Sequence, residues 1–361
     1  MSVKRKEKKS QEAGQDRRDA VNRGFLAQLS ELLSHATEYY QMRALTKPVS
    51  GGILIRMLGL KPLRSPSLRP RPESPLGTSA APWRTSRQLA ELAKTTRSEN
   101  DSYSFAVLGD AEPGRFWIFR ALFNRKGVFA RQLQTIQEQS VDFSIQLGDM
   151  VSRGVEGNYR RFFNELEGVG VRKPYLTVIG NHDRHYPHGR SNSVLYRSLI
   201  GPTRYHFERG GVRFIVADSS ANRMEPSQLR WLRMALDTPL RKVVFTHIPP
   251  ALLSLWGDRD AVRKMGGFTE GAREFTELLS ESGVDRVYMG HVHGFGVQDY
   301  LGVRYILTGG GGSPLFPCGA KDRFYHYLTV SVGPWGIRDH VHTLEGSSFL
   351  IPSGRVIYAA A

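Results

Sequence analysis

Beyond residue 102 the chain is a succession of short apolar runs separated by amphipathic stretches. The runs are Phe105–Leu108, Phe143–Leu147, Tyr175–Ile179, Phe214–Ala217, Val243–Phe245, Val287–Met289, Tyr305–Leu307 and Tyr327–Val332. Their lengths suit strands. Several are continuously apolar rather than alternating, the pattern of strands covered on both faces. Between them, Phe129–Gln139, Tyr159–Glu167, Pro226–Leu236 and Thr269–Ser282 read as helices. Pro226 suits a first helical turn, where its missing N–H costs nothing. Strands alternating with helices predict an α/β domain.

The first hundred residues follow another pattern. Residues 1–18 are charged and poor in large apolar side chains, which predicts disorder. Phe25, Leu26, Leu29, Leu32 and Leu33 recur at helical spacing and predict a helix over 19–41. Pro62–Thr85 is rich in Pro, Ser and Arg and reads as a linker, followed by a short helix over Ser86–Thr96. The expected organisation is an N-terminal extension over 1–100, an α/β domain over 101–345 and a tail over 346–361.

Charge sharpens that division. The net charge is +16, and residues 1–100 hold 19 Lys and Arg against 9 Asp and Glu, so most of the excess lies in the extension. Such a segment can attract nucleic acid or an anionic membrane surface, or stay a solvated tail. Cys318 is the sole cysteine, which excludes an internal disulfide and a thiolate zinc cage and suits a reducing, cytoplasmic setting. The basic start Met1-Ser2-Val3-Lys4-Arg5-Lys6 is not followed by an apolar core, so no secretion signal is expected. The run Ile53–Leu60 includes Arg56 and is too short to span a bilayer.

The ends of the predicted strands carry the chemistry. Asp110 and Glu112 follow Phe105–Leu108, and Asp149 follows Phe143–Leu147. Asn181, His182 and Asp183 follow Tyr175–Ile179. His247 follows Val243–Phe245, while His291 and His293 follow Val287–Met289. In an open α/β sheet, ligands gather outside the carboxyl ends of the strands. Glycine precedes Asp110, Asp149, Asn181 and His291, allowing tight turns and close backbone approach. Oxygen and imidazole donors without thiolate suit Mn, Fe, Zn or Ni better than an all-oxygen calcium or magnesium cage. Two such ions roughly 3.5–4 Å apart can share a carboxylate and a water, and a nearby His can protonate a leaving alkoxide.

The ordered blocks Gly148-Asp149-Met150-Val151-Ser152-Arg153, Gly180-Asn181-His182-Asp183, His247 and Gly290-His291-Val292-His293 resemble the calcineurin-like metallophosphoesterase superfamily over about residues 105–312. The resemblance implies two facing β-sheets flanked by helices and two divalent ions. Asp149 would bridge the ions, Asp110 and His293 would serve the first, and Asn181, His247 and His291 the second. His182 would be the general acid, Asp183 would orient it, and Arg153 would hold a phosphate oxygen. Glu112 departs from the usual His of the family. It is expected to reach the first ion directly or through water and to favour Mn or Mg over Zn. Ser152 stands where the protein Ser/Thr phosphatases carry Asp, and it is not the tyrosine by which purple acid phosphatases bind ferric iron, so no purple protein is expected.

The expected reaction is phosphoester hydrolysis by a metal-bound hydroxide attacking in line, without a phosphoenzyme. Arg153 favours a phosphomonoester. A phosphodiesterase or nuclease is the alternative, signalled by steep salt dependence of nucleic-acid binding, and a non-catalytic scaffold of the same fold is a third reading. Basic residues after Asp183 and His247, among them Arg184, Arg190, Arg204, Arg259 and Lys264, suit a nucleotide or phosphoprotein substrate. Trp256 and Phe268 are expected to cap the pocket. The run Gly309–Gly312 reads either as a phosphate cradle or as a close-packed turn.

Overall fold

The computed structural model describes residues 76–111, 127–186, 191–257, 260–315 and 323–354, all within a unit that runs from Pro72 to Ala361. The expected disordered start, the helix over 19–41, Glu112, Arg190, Arg259 and Cys318 lie outside the described residues.

Among the described residues the strands are, in chain order, β1 (Tyr103–Leu108), β2 (Ser144–Gln146), β3 (Tyr175–Thr177), β4 (Tyr205–Arg209), β5 (Val212–Val216), β6 (Arg241–Thr246), β7 (Arg286–Met289), β8 (Phe295–Tyr300), β9 (Val303–Thr308), β10 (His326–Gly333), β11 (Gly336–Thr343) and β12 (Ser348–Leu350). They form two six-stranded sheets, ordered β12-β11-β10-β1-β2-β3 and β4-β5-β6-β7-β9-β8. In the first, β1, β2 and β3 are parallel and β10 joins β1 antiparallel. In the second, β5, β6, β7 and β9 are parallel, with β4 and β8 antiparallel at the edges.

The continuous apolar runs have the expected cause. On β1, Phe105 and Val107 enter the core between the sheets, while Ala106 and Leu108 face the helix layer. On β6, Val243 and Phe245 face the other sheet and Val244 the opposite helices. An aromatic stack joins the sheets: Phe105 lies 5.0 Å from Phe143 and meets Phe214 edge-on at 5.3 Å, centroid to centroid. Offset and edge-to-face rings of this kind add to the burial of their large apolar area. Helices Val128–Glu138 and Glu156–Val169 cover the first sheet, and helices Pro226–Leu236 and Ala272–Glu281 cover the second. Among the described residues no helix is long and apolar enough to cross a membrane.

Three differences from the sequence expectation have physical reasons. The edge strands β4, β8 and β12 were not expected, because an edge strand is often short or mixed in polarity: along Tyr205–Arg209 only the two ends are buried, and β8 mixes Phe295 and Val297 with Gln298 and Asp299. The far end of the expected linker is structured: helix Leu76–Ala80 and the turn Ala81–Trp83 place Leu76, Ala80 and Trp83 in the first sheet's outer core. The expected C-terminal tail contributes β12, which pairs with β11 through Val341 and Phe349.

Candidate metal centre

Each donor sits just beyond a parallel strand, where the chain must turn sharply. Asp149 and His291 adopt left-handed backbone, with φ of 47° and 71°. Asp and His are among the non-glycine residues that tolerate this region. The preceding glycines allow close packing: a Cβ on Gly290 would lie 2.7 Å from Asp110 Oδ2, and one on Gly180 would collide with Asp149 Oδ1.

The turns bring together six of the residues expected as ligands. The side chains of Asp110, Asp149, Asn181 and His247 are buried. His247 Nε2 lies 3.0 Å from Asn181 Oδ1 and 3.2 Å from Asp149 Oδ2. His291 Nδ1 lies 3.1 Å from Asn181 Oδ1, and His293 Nε2 lies 3.7 Å from Asp110 Oδ1. Two donor groups result, Asp149 with His247 and His291, and Asp110 with Asp149 and His293; within each, the ligand atoms lie within 4.8 Å of one another. Asp149 belongs to both groups. Convergent carboxylate and imidazole donors with one shared carboxylate fit a pair of divalent ions.

Surrounding groups fix the orientation of these donors. His247 Nδ1 donates to the Leu147 carbonyl at 2.7 Å, and His293 Nδ1 to the Pro314 carbonyl at 2.7 Å. In both rings this turns Nε2 toward the carboxylates, an arrangement that recurs around metal-binding histidines. The Asp110 carboxylate accepts the His291 amide at 3.0 Å. Ser219, absent from the sequence expectation, accepts the Ile248 amide at 2.7 Å and the Thr246 hydroxyl at 2.8 Å, bracketing His247. No spacing rule marks it, because its partners lie on another strand end.

The metal-free charges follow from burial and proximity. Burial, reinforced by Asp149, pushes the Asp110 carboxyl up to about 8. Burial opposes the charged form of Asp149 too, but His247 and His182 more than offset it and hold that carboxyl well below the usual range. Burial also opposes protonation of His247, yet Asp149 and Asp110 raise it to about 9. Burial lowers His291 to about 3 and His293 to about 4, which keeps both imidazoles neutral, the form that binds metal.

His182 stands beside this cluster. Its amide donates to Asp149 Oδ1 at 2.9 Å, and its ring Nδ1 meets the Ser152 carbonyl at 3.0 Å. Asp183 was expected to orient His182 but is engaged elsewhere. It is buried, and its carboxylate accepts the amides of Met150 at 2.9 Å, Val151 at 3.3 Å and Gly180 at 2.8 Å. Asp183 therefore pins the two ligand loops together, and the Ser152 carbonyl orients the imidazole. Burial, with Asp149 nearby, raises the Asp183 carboxyl to about 7.

Arg153 joins the rim through its neighbour Ser152. Its Nε donates to the His185 carbonyl at 2.9 Å, and its guanidinium lies 4.5 Å from the centre of the Tyr186 ring. Other rim residues have structural contacts. Arg184 bonds to Ser220 at 2.7 Å, to the Ser191 carbonyl at 2.5 Å and to Asp218 at 3.3 Å, so its guanidinium holds its own loop. Phe268 is fully buried in the outer core of the second sheet, and Trp256 donates to the Phe295 carbonyl at 2.8 Å. Buried in that core, Phe268 does not cap the site. The glycine run is a close-packed turn: Cβ atoms on Gly309, Gly310 and Gly311 would strike Val292, His326 and Gly109.

The carboxylates and imidazoles thus cluster at the strand ends of a paired-sheet sandwich, as donors for divalent ions. The family model described as calcineurin-like phosphoesterase matches residues 103–295, more than half of the chain, and the chain belongs to that family. A nucleotide pyrophosphatase/phosphodiesterase from Hordeum vulgare is 23% identical over 244 residues, covering 55% of this chain and 62% of the relative. Serine/threonine-protein phosphatase CPPED1 from Mus musculus is 30% identical over 141 residues, covering 36% of this chain and 44% of the relative. The chain thus spans less than two thirds of the length of either relative. Among solved structures, purple acid phosphatase PPD1 from yellow lupin superimposes with a TM-score of 0.54 at 16% identity, over 70% of this chain and 53% of that one. At that identity the likeness concerns the fold.

Proposed function

We propose that the protein hydrolyses phosphomonoesters at a two-ion centre. In this reading Asp149 is shared between the ions, Asp110 and His293 complete the first site, and Asn181, His247 and His291 complete the second. The observation that carries it is the membership of Asp149 in both donor groups. Glu112 remains a proposed further ligand of the first ion. When bound, the ions supply an activated water and neutralise charge on the phosphoryl oxygens; Mn, Fe, Zn and Ni all suit the donors.

The protein's own residues supply the rest. In this reading His182, its Nδ1 against the Ser152 carbonyl, gives a proton from Nε2 to the leaving oxygen. The Arg153 guanidinium, steadied through Nε and the Tyr186 ring, presents its fork to a terminal phosphate oxygen. A monoester has one more non-ester oxygen than a diester to offer for this contact. Nucleotides and phosphoproteins are the proposed substrate classes; contact of residues 1–100 with nucleic acid or an anionic membrane is a separate proposal, as is a cytoplasmic setting.

Turnover of p-nitrophenyl phosphate and bis-p-nitrophenyl phosphate by protein stripped of metal and reloaded with each ion tests this. The expected result is a preference for the monoester, abolished by Asp149→Asn and lowered by His182→Ala on the order of a hundredfold. A preference for the diester sinks the monoesterase reading in favour of the activity named for the Hordeum relative. Ion binding without turnover of either ester would leave a scaffold.

A further inference from the structure

Gln146, the last residue of β2, shares with Ser144 the polar positions of the alternating run Phe143-Ser144-Ile145-Gln146-Leu147. Its neighbours Ile145 and Leu147 enter the core between the sheets, so its side chain points to the other face, where it is fully buried. Burying an amide is unfavourable unless each polar atom finds a partner. Here each does. Nε2 donates to the Gly109 carbonyl at 2.5 Å and to the Gly148 carbonyl at 3.2 Å, and Oε1 accepts the Tyr175 hydroxyl at 2.7 Å. Tyr175 is itself anchored, its amide donating to Gln88 Oε1 at 2.6 Å. The two carbonyls dictate which way the amide faces, because the inverted amide would set its oxygen against them, and the Tyr175 hydroxyl then donates to Oε1.

Gly109 and Gly148 immediately precede Asp110 and Asp149. One nitrogen therefore grips the backbone just ahead of both carboxylates. We propose that Gln146 is a positioning residue that sets the spacing of these two carboxylate loops and thereby controls binding of the second divalent ion. This rests on the two-ion reading above. A leucine of similar size would fill the same space but would leave the Gly109 and Gly148 carbonyls without this donor. The loops would then relax apart, and Asp149 would serve one ion at the expense of the other.

The test is Mn(II) binding to the full 361-residue chain by calorimetry, together with the electron paramagnetic resonance spectrum of the loaded protein, which reports whether two Mn(II) ions are magnetically coupled. Gln146→Leu should retain the first ion, weaken the second roughly tenfold or more, and replace the coupled spectrum by that of isolated Mn(II). Tyr175→Phe, which leaves Oε1 without its donor and loosens the amide, should weaken the second ion to a lesser degree and add nothing in the double variant. If Gln146→Leu does not fold, Tyr175→Phe decides alone, and unchanged binding of the second ion overturns the proposal. Two ions bound by Gln146→Leu with unaltered affinities and coupling overturn it while leaving the two-ion site intact. Failure of the unsubstituted protein to bind two ions removes the site reading and the proposal together.

Discussion

The two sheets contribute different chemistry to one site. The strands of the first end in oxygen donors: Asp110 after β1, Asp149 after β2 and Asn181 after β3. The strands of the second end in imidazoles: His247 after β6, with His291 and His293 after β7. The difference shows in their electrostatics. Buried together, the carboxylates repel each other, and the imidazoles that face them relieve that repulsion, as the elevated His247 and depressed Asp149 record. Neither sheet holds a complete donor group, since each group takes its carboxylate from one sheet and its imidazole from the other. The site exists where the sandwich closes.

If that division is real, substitutions on the two sides must differ. Asp149→Asn removes the shared donor and should cost both ions and on the order of a thousandfold in turnover, read by metal analysis and steady-state kinetics; retention of both ions at native affinity would falsify its bridging role. His291→Ala removes a donor from one group alone. It should leave about one ion bound and lower turnover on the order of a hundredfold, so equal loss of both ions would erase the contrast. Asp183→Ala addresses the first sheet's loops rather than its donors. Losing the acceptor for three amides should reduce unfolding stability by about 2 kcal/mol in metal-free protein, measured by urea denaturation. An unchanged midpoint would mean that the loops hold without it.

The last effect concerns a histidine of the first sheet that takes no part in the donor groups. His326 is buried on β10, with Nδ1 donating to the Phe324 carbonyl at 2.9 Å and Nε2 accepting the Thr308 hydroxyl at 3.0 Å. Burial lowers it to about 4 from an ordinary 6.5. Between those values the unfolded chain takes up a proton and the folded one does not. Its contribution is present above pH 6.5 and lost as pH falls toward 4. His326→Gln should therefore flatten the decline in stability over that window by about 1 kcal/mol per pH unit. Parallel curves for the two proteins would sink this assignment.

Much of the centre was legible because its donors obey a local rule: glycine, then a ligand, directly after an apolar run. The same rule located β1, β2, β3 and β7, while β6, whose ligand follows Thr246, was located by its apolar run Val243–Phe245. What escaped depended on tertiary neighbours. The three amides around Asp183 come from two loops about thirty residues apart in sequence, so adjacency to His182 suggested the wrong partner. Gln146 sat unmarked on the polar side of an alternating run, and its partners become visible only when β1 and β3 flank it. β4 and β12 left no apolar signature because edge strands need none.

The bond from His247 to the Leu147 carbonyl crosses from one sheet to the other. An imidazole of the second sheet thus takes its tautomer from the backbone of the first, two residues before Asp149. Any sliding of one layer over the other would alter the proton on that ring before it disturbed a metal-donor atom. The ring is a built-in gauge of how the halves are registered. Its nitrogen chemical shifts would report, in the intact protein, whether the sandwich stays in register as metal is removed.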